Sequence, residues 1–186
     1  SKLYIMPLSV PVVVDALEAA KMKSETTSFG VLHLIGCMYD WNSRRIHVDR
    51  DVNDLIEHED ELLVSNYNDN YSVAISRAWL LQQYIDEKDE EIICKNADIG
   101  EGDLRGAVEN ADWLLFAVEE IAKVLGFNVM VPLVRKLRSR VKYGVGEELL
   151  DLVKVRNIGR IRARALYKAG IRSRQQLKDA SKEKVS

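Results

Sequence analysis

The residues best suited to chemistry lie in an arginine-rich stretch in the C-terminal part of the sequence. Its basic side chains surround the tripeptide Asn157-Ile158-Gly159, and they are Arg156, Arg160, Arg162 and Arg164. A glycine-containing turn lets backbone N–H groups approach a phosphate without a Cβ in the way, and the following helix N-terminus adds its dipole. Guanidinium groups beside such a turn supply further phosphate contacts. The stretch therefore predicts a site for a phosphate backbone.

The surrounding residues, 152–171, resemble the helix-hairpin-helix motif. An apolar helix precedes a tight hairpin, and a second helix follows with a small residue, a leucine and a terminal Gly-Ile. Asn157 stands where that motif usually has its first glycine. Asparagine tolerates the left-handed backbone conformation better than most residues, so the hairpin is weakened but not excluded. A hairpin with a purely structural role remains the alternative.

The charge of the chain is divided between two regions. The net charge is only −2, but residues 134–186 carry +11 and residues 1–133 carry −13. Such a division predicts two surfaces with different partners, of which the basic one suits a polyanion. The alternative is that the basic region simply docks on the acidic one.

The longest periodic segment precedes the basic region and predicts a helix over 103–125, with Asp103 as its cap and Gly126 as its stop. Its apolar stripe consists of Leu104, Val108, Ala111, Leu115, Val118, Ala122 and Leu125. At ~100° per residue, Trp113 lies ~180° from this stripe, with Arg105 and Phe116 ~60–80° from Trp113. A tryptophan in that position packs on another element or meets a ligand, and the spacing leaves both open.

The rest of the chain predicts an all-α protein. Glycine and proline together make up 7% of the residues, against a usual ~12%. Further helices are predicted from Ser9, as a cap, to Lys23; from a cap at Thr27 or Ser28 onward; and over Asp51–Val64, Ser72–Ile85 and Glu90–Cys94. Residues 66–70 form a turn cluster and residues 99–102 a loop. Ser173 to Gln176 reads as a capping box for one more helix.

The remaining motifs do not support an enzyme site. The sequence has no G-x-x-x-x-G-K-[ST] phosphate loop, and its histidines and cysteines lack metal-site spacing. His33 and Cys37 are four residues apart, but two ligands do not make a site. No apolar run reaches the ~18 residues of a membrane span. We therefore expect no catalytic residue, cofactor, metal or membrane contact in this chain, and no signal peptide.

Taken in order, several segments resemble the C-terminal part of archaeal superfamily-2 DNA helicases of the Holliday-junction-migration type, relatives of the helicase portion of DNA polymerase theta. The resemblance covers nearly the whole chain. The arginine-rich hairpin is one of these segments, and the others are Tyr4-Ile5-x-Pro7-Leu8, Phe29 to Ile35, Ile99-Gly100-x-Gly102-Asp103-Leu104-Arg105, Ala111 to Leu115, and Val141-Lys142-Tyr143-Gly144-Val145-x-Glu147-Glu148-Leu149-Leu150.

This resemblance implies a division into two domains. Residues 1–143 would form a helical ratchet domain whose long helix lies along the unwound strand. Residues 144–186 would form a helix-hairpin-helix DNA-binding domain that is cut short at its C-terminal end. Arg105 and Trp113 would meet single-stranded DNA. Relatives can carry a basic residue where this chain has Gly106, which leaves open whether Arg105 or a neighbour makes the arginine contact.

The function implied is that of a DNA-binding part of an ATP-dependent 3′–5′ DNA helicase in replication-fork repair and recombination, which grips the translocating strand. ATP and Mg²⁺ would bind to motor domains outside this chain. The expected partners are single-stranded or forked DNA and the motor and winged-helix domains of the same polypeptide. We expect a monomer in the cytoplasm, associated with the nucleoid. The alternatives are a standalone helix-hairpin-helix DNA-binding adaptor and a helical protein-interaction scaffold of an RNA helicase.

Overall fold

The computed structural model describes residues 4–42 and 57–183. All its regular elements within these ranges are helical, which confirms the predicted all-α class. The helices are α1 (Ser9–Lys21), α2 (Ser28–Cys37), α3 (Tyr71–Ile85), α4 (Glu90–Ala97), α5 (Glu101–Val124), α6 (Met130–Tyr143), α7 (Leu150–Val153), α8 (Arg160–Lys168) and α9 (Arg174–Glu183), with 3-10 turns at Glu59–Glu61 and Glu147–Leu149. No helix within the described ranges has both the length and the apolar character needed to cross a membrane.

Helix α5 organises the first part of the structure. It packs along α6 on one side and against α1 and α2 on the other. The turn between α5 and α6 contains Gly126, whose φ of +77° is the left-handed conformation that glycine adopts without strain. Helix α2 is apolar nearly all round and is buried between α3 and α5, as expected of a core helix.

The buried hydrophobic residues of the described chain form two clusters. The larger runs from Val13 to Val141 and joins α1 to α6. The smaller consists of Val145, Leu149, Leu152, Val153 and Ala163, with half-buried neighbours that include Ile158 and Leu166. We call the described residues up to 143 the helical body and residues 144–183 the C-terminal module. The two clusters support the predicted domain division, which stays a prediction.

The predicted helix caps have mixed outcomes. Thr27 does cap α2, since its Oγ1 accepts a hydrogen bond from Gly30 N at 3.2 Å. The prediction that Ser9 caps α1 is wrong: Ser9 is the first helical residue, and its buried Oγ accepts from Tyr39 N at 2.9 Å. Asp103 is the third residue of α5 rather than its cap, and its carboxylate accepts from Gly100 N at 3.1 Å.

The helix predicted over Asp51–Val64 is only partly testable, because 51–56 lie outside the described residues. Within the described part it does not reach Val64: the 3-10 turn Glu59–Glu61 ends at Leu62, whose backbone is extended. Glu61 accepts hydrogen bonds from the Thr27 hydroxyl at 2.5 Å and from His58 Nδ1 at 2.7 Å. The Thr27 hydrogen bond ties the segment to the start of α2, and the buried Leu62 and Leu63 then join the core.

Candidate nucleic-acid interface

Trp113 lies opposite the apolar stripe of α5, as the sequence predicts, and the structure places it on the outer side of the helix. Its side chain is 37% exposed, while Leu104, Ala111 and Leu115 on the opposite side are at most 2% exposed. We call Arg105, Glu109, Trp113 and the half-buried Phe116 the α5 arc. At ~100° per residue, these four side chains lie within ~80° of Trp113, so they share one side of the helix.

The buried side of α5 differs in extent from the predicted stripe. Ala107, Leu114 and Ala117 are also fully buried, whereas Val108 is only half-buried and Leu125 is 48% exposed. The reason is that α5 is covered from two directions, by α6 and by α1 with α2. An a/d-type stripe describes contact with one neighbour only, so it missed the second buried row.

The side of the α5 arc next to α6 carries an arginine that the sequence reading did not single out. Arg138 donates from Nε to Asp112 Oδ1 at 2.8 Å and from Nη2 to Asp112 Oδ2 at 3.3 Å. Its guanidinium carbon also lies 4.9 Å from the centroid of the Phe116 ring. Its place beside the arc depends on the pairing of α5 with α6, so no spacing in the sequence indicates it.

A second group of charges between α5 and α6 has a structural role. Glu119 is only 3% exposed, and its carboxylate accepts from Arg135 at 2.8 Å and contacts Lys123 at 2.9 Å. Burial alone would raise the pKa of Glu119, but the hydrogen bonds from Lys123 and Arg135 lower it below its usual value. Arg135 and Lys123 therefore compensate a buried carboxylate.

The hairpin of the C-terminal module combines a left-handed residue with an open helix start. Asn157 has a φ of +66°, which confirms that asparagine takes the left-handed position here. Gly159 caps α8, and a Cβ placed on it would meet no atom within 4 Å. The start of α8 is therefore open at this glycine. Ile158 is half-buried and packs on the module core, while Arg156 and Arg162 are exposed.

Arg160 and Arg164, also predicted to bind phosphate, face the helical body. Arg164 donates to the Glu87 carboxylate from Nε at 2.8 Å and from Nη2 at 2.6 Å, and it also pairs with Glu148. Arg160 donates to Lys88 O at 2.7 Å. Arg162, by contrast, donates within the hairpin, to Asn157 O at 2.9 Å. The structure thus separates the predicted arginines into two groups, one at the surface and one between the two parts of the molecule.

Glu87 is the residue on the body that accepts the hydrogen bonds of Arg164. It lies between α3 and α4 with a φ of +62°, and its Oε1 also accepts from Gly146 N at 3.1 Å. Burial raises the pKa of Glu87, but hydrogen bonds from Arg164 and Gly146 outweigh this and leave the pKa below its ordinary value. We call Glu87 with Arg164 and Gly146 the Glu87 clasp. Arg164 therefore follows the alternative given for the charge division, in which the basic region docks on the acidic one.

Tyr84 of α3 contacts the C-terminal module. The guanidinium of Arg160 lies 5.2 Å from the Tyr84 ring. Burial and the nearby Glu90 raise the pKa of the Tyr84 hydroxyl, while Arg160 and Arg105 both oppose that rise. The contact of Arg160 with the Tyr84 ring places the start of α8 beside α3.

The His33 and Cys37 pair is part of the core. Cys37 Sγ lies 3.7 Å from His33 Nε2, and that nitrogen lies 2.9 Å from Tyr71 O. Burial lowers the pKa of His33 to about 4 and raises that of the Cys37 thiol to about 12, so both side chains are neutral. Across the two described ranges, no group of three or more His, Cys, Asp or Glu side chains is arranged to hold a metal ion.

Comparison with known proteins places the chain in a family. Residues 29–144 match the family described as "Archaeal helicase, domain 4". That match covers more than half of the sequence, and the chain belongs to this family. The predicted resemblance to archaeal DNA helicases is thereby confirmed.

Individual relatives carry the name "ATP-dependent DNA helicase Hel308". The protein from Methanocella arvoryzae is 37% identical over 193 aligned residues, which cover 97% of this chain and 26% of the relative. The one from Methanocaldococcus jannaschii is 36% identical, covering 93% of the chain and 14% of the relative. The one from Caldivirga maquilingensis is 45% identical over 68% of the chain and 17% of the relative. The chain thus spans about a quarter or less of these proteins.

Proposed function

We propose that this chain is the region of an archaeal ATP-dependent DNA helicase that holds the translocating single strand, with the α5 arc as its contact surface. The observation that carries the proposal is Trp113, a 37% exposed indole on a helix whose opposite side is fully buried. The body does not need this ring for its own core. Stacking a base on an aromatic ring is worth ~1–3 kcal/mol and tolerates any sequence, which suits a protein that moves along a strand.

The hairpin of the C-terminal module supplies the second contact in this proposal. The backbone of Asn157, Ile158 and Gly159 would bind a phosphate, with Arg156 and Arg162 beside it. Arg160 and Arg164 serve mainly to set the direction in which the hairpin points, because Lys88 and Glu87 accept their hydrogen bonds. In this proposal, one strand of DNA would reach both contacts.

In the whole helicase, ATP and Mg²⁺ would act on motor domains elsewhere in the polypeptide. The sequence of this chain has no phosphate loop, so we expect it to bind DNA without hydrolysing ATP. We place the helicase, acting 3′–5′ as a monomer, at replication forks under repair in the archaeal nucleoid. The relatives described above are DNA helicases by name, which favours this function over a standalone adaptor or an RNA-helicase scaffold.

The test is Trp113→Ala, compared with Tyr67→Ala, which removes another exposed aromatic ring. We expect Trp113→Ala to lower affinity for single-stranded DNA about tenfold, the equivalent of one lost stacking contact. Its melting temperature should stay within a few degrees of the wild type, and Tyr67→Ala should change neither property. Fluorescence anisotropy and thermal unfolding provide the two measurements.

Two results would contradict the proposal. One is unchanged affinity per folded molecule together with a large loss of stability, which would make Trp113 a packing residue. The other is equal or tighter binding of single-stranded RNA with the same dependence on Trp113, which would favour the RNA-helicase alternative.

A further inference from the structure

We propose that Arg138 of α6 is a phosphate-binding residue of the same strand site, so that the strand lies between the α5 arc and α6. The inference rests on the proposed function and adds a second helix to its contact surface. It starts from the geometry of Arg138, a partly exposed guanidinium held in place from two directions.

The first contact that fixes the guanidinium is made at its edge. Asp112 accepts from Nε at 2.8 Å and from Nη2 at 3.3 Å, which occupies one edge of the fork. Nη1 has no acceptor among the described residues, and the side chain is 34% exposed. An arginine held in this way keeps donors available for an incoming anion, because its planar fork carries five N–H groups.

The second contact is made with the face of the guanidinium. Phe116 lies 4.9 Å away, within the range of a cation–π contact. With one edge and one face fixed, the side chain has little rotamer freedom left to lose when a ligand binds. Fixing a group in its bound conformation raises affinity mainly by reducing that entropic cost. Arg138 is thus better prepared to bind a phosphate than a freely rotating surface arginine would be.

The position of Arg138 relative to Trp113 suits a strand that stacks a base on Trp113 and has its phosphates on the α6 side. Asp112 is ~100° from Trp113 around α5, and Phe116 is ~60° from it in the same direction. The arginine held by both therefore lies on the α6 side of the tryptophan. Arg105 shares that side, two helical turns or ~10.5 Å before Asp112. Two cations would then follow the phosphates while Trp113 stacks on a base.

Neighbouring cations show that this arrangement is particular to Arg138. Arg135 and Lys123 both contact the buried Glu119, where their charges are needed for the fold. Asp112 is 30% exposed and needs no such compensation, since a carboxylate at that exposure is still solvated. The Asp112 pair therefore has little structural necessity, and its clearest effect is to orient Arg138.

The test measures single-stranded DNA binding as a function of salt for Arg138→Gln and Asp112→Asn. Lys95→Gln serves as the matched control, because it removes one positive charge from an exposed site on α4. We expect Arg138→Gln to weaken binding about tenfold and to reduce the salt slope by ~0.7, the value for one phosphate contact on a single strand. Asp112→Asn should tighten binding severalfold, because asparagine keeps one oxygen to accept from Nε and orient Arg138 but removes the negative charge that competes with a phosphate. Lys95→Gln should leave the slope unchanged.

The two variants are expected to change affinity in opposite directions, and this distinguishes a DNA-binding role of Arg138 from a structural one. If Arg138 acts only on the fold, Arg138→Gln and Asp112→Asn will change affinity in the same direction or not at all, and the inference is overturned. If Arg138→Gln does not fold, Asp112→Asn and Arg138→Lys, which keeps the charge but loses the fork, decide the question. Loss of binding in Trp113→Ala without any effect at Arg138 would refute this inference and leave the proposed function standing. No effect at either residue would refute the proposed function itself.

Discussion

The helical body and the C-terminal module are held together by different forces. The body has one apolar cluster that joins six helices, from α1 to α6. The described part of the module buries five hydrophobic residues, of which Ala163 is the only one from α8. Its direction relative to the body depends on polar contacts, chiefly the Glu87 clasp. Packing therefore sets the geometry of the α5 arc, whereas ion pairs and hydrogen bonds set that of the hairpin.

This difference has a functional consequence. Apolar packing has no charge interaction that salt can screen, so the α5 arc should keep its shape at the salt concentrations that weaken ion pairs. Partly exposed ion pairs weaken with salt and with loss of charge. The hairpin should therefore be the adjustable one of the two contacts, able to change its direction while the arc stays fixed.

The largest expected effect is on stability, and it compares the two cores through Leu115→Ala in α5 and Leu152→Ala in α7. Both leucines are fully buried. Leu115→Ala leaves a cavity in the central helix and should cost about 3–5 kcal/mol of unfolding free energy for the whole body. Leu152→Ala should instead open the module locally and leave the body folded. Urea unfolding measures the first effect, and hydrogen exchange resolved by segment measures the second.

Val124→Ala is the control for these two variants, because Val124 is 84% exposed in the same helix as Leu115. It should change stability by less than about 0.5 kcal/mol. If Leu152→Ala lowered protection throughout the body as strongly as Leu115→Ala, the module and body would be one cooperative unit. Different forces would then not hold the two parts.

The sequence was informative where the structure depends on local spacing. The period of α5 is visible in its own residues, so the position of Trp113 opposite the apolar stripe followed without knowledge of any neighbour, whereas its exposure did not. The left-handed Asn157 was equally accessible, because the hairpin motif fixes the conformation that its first residue must adopt.

What could not be predicted are contacts between distant segments. Arg164 and Glu87 are 77 residues apart in sequence, and nothing near Glu87 marks it as a partner. The alternation Arg160, Arg162, Arg164 reads as one basic surface, but residues two apart on a helix differ by ~200°, so Arg162 points away from Arg160 and Arg164. Which of the two sides meets the helical body is set by the distant partner Glu87. The same limit applies to Ser9, which looks like a cap until the fold brings Tyr39 N to its hydroxyl.

The next prediction concerns the clasp itself, through Glu87→Gln. The loss of the charge leaves Arg164 with Glu148 alone and should loosen the module by about 1–2 kcal/mol, since these charge-assisted hydrogen bonds are partly exposed. Hydrogen exchange in α8 should rise roughly tenfold at neutral pH while the body stays protected. Glu91→Gln, an exposed carboxylate on α4, is the matched control and should have no such effect.

The pH dependence gives the same prediction a second measurement. The folded-state pKa of Glu87 is lowered from an ordinary value of 4.5, so its contribution is complete above that value. It is lost as the pH falls through the lower, folded-state pKa. Wild-type α8 should therefore lose protection in acid, while Glu87→Gln should depend less on pH, with a remainder from Glu148, whose pKa Arg164 also lowers. An equal acid dependence in both proteins would show that the clasp does not hold the module.

The smallest expected effect concerns the backbone of the hairpin, at Asn157. Its φ of +66° is costly for residues with a Cβ, less so for asparagine, and free of cost for glycine. Asn157→Ala should destabilise the module by about 0.5–1 kcal/mol, whereas Asn157→Gly should change it by only a few tenths. Because phosphate binding in the proposed site uses backbone N–H groups, Asn157→Gly should also keep its affinity for forked DNA, and Asn157→Ala should lose affinity in proportion to its instability. If Asn157→Gly weakened binding severalfold while the module stayed folded, the asparagine side chain itself would be a ligand of the DNA, and the hairpin would not be acting through its backbone.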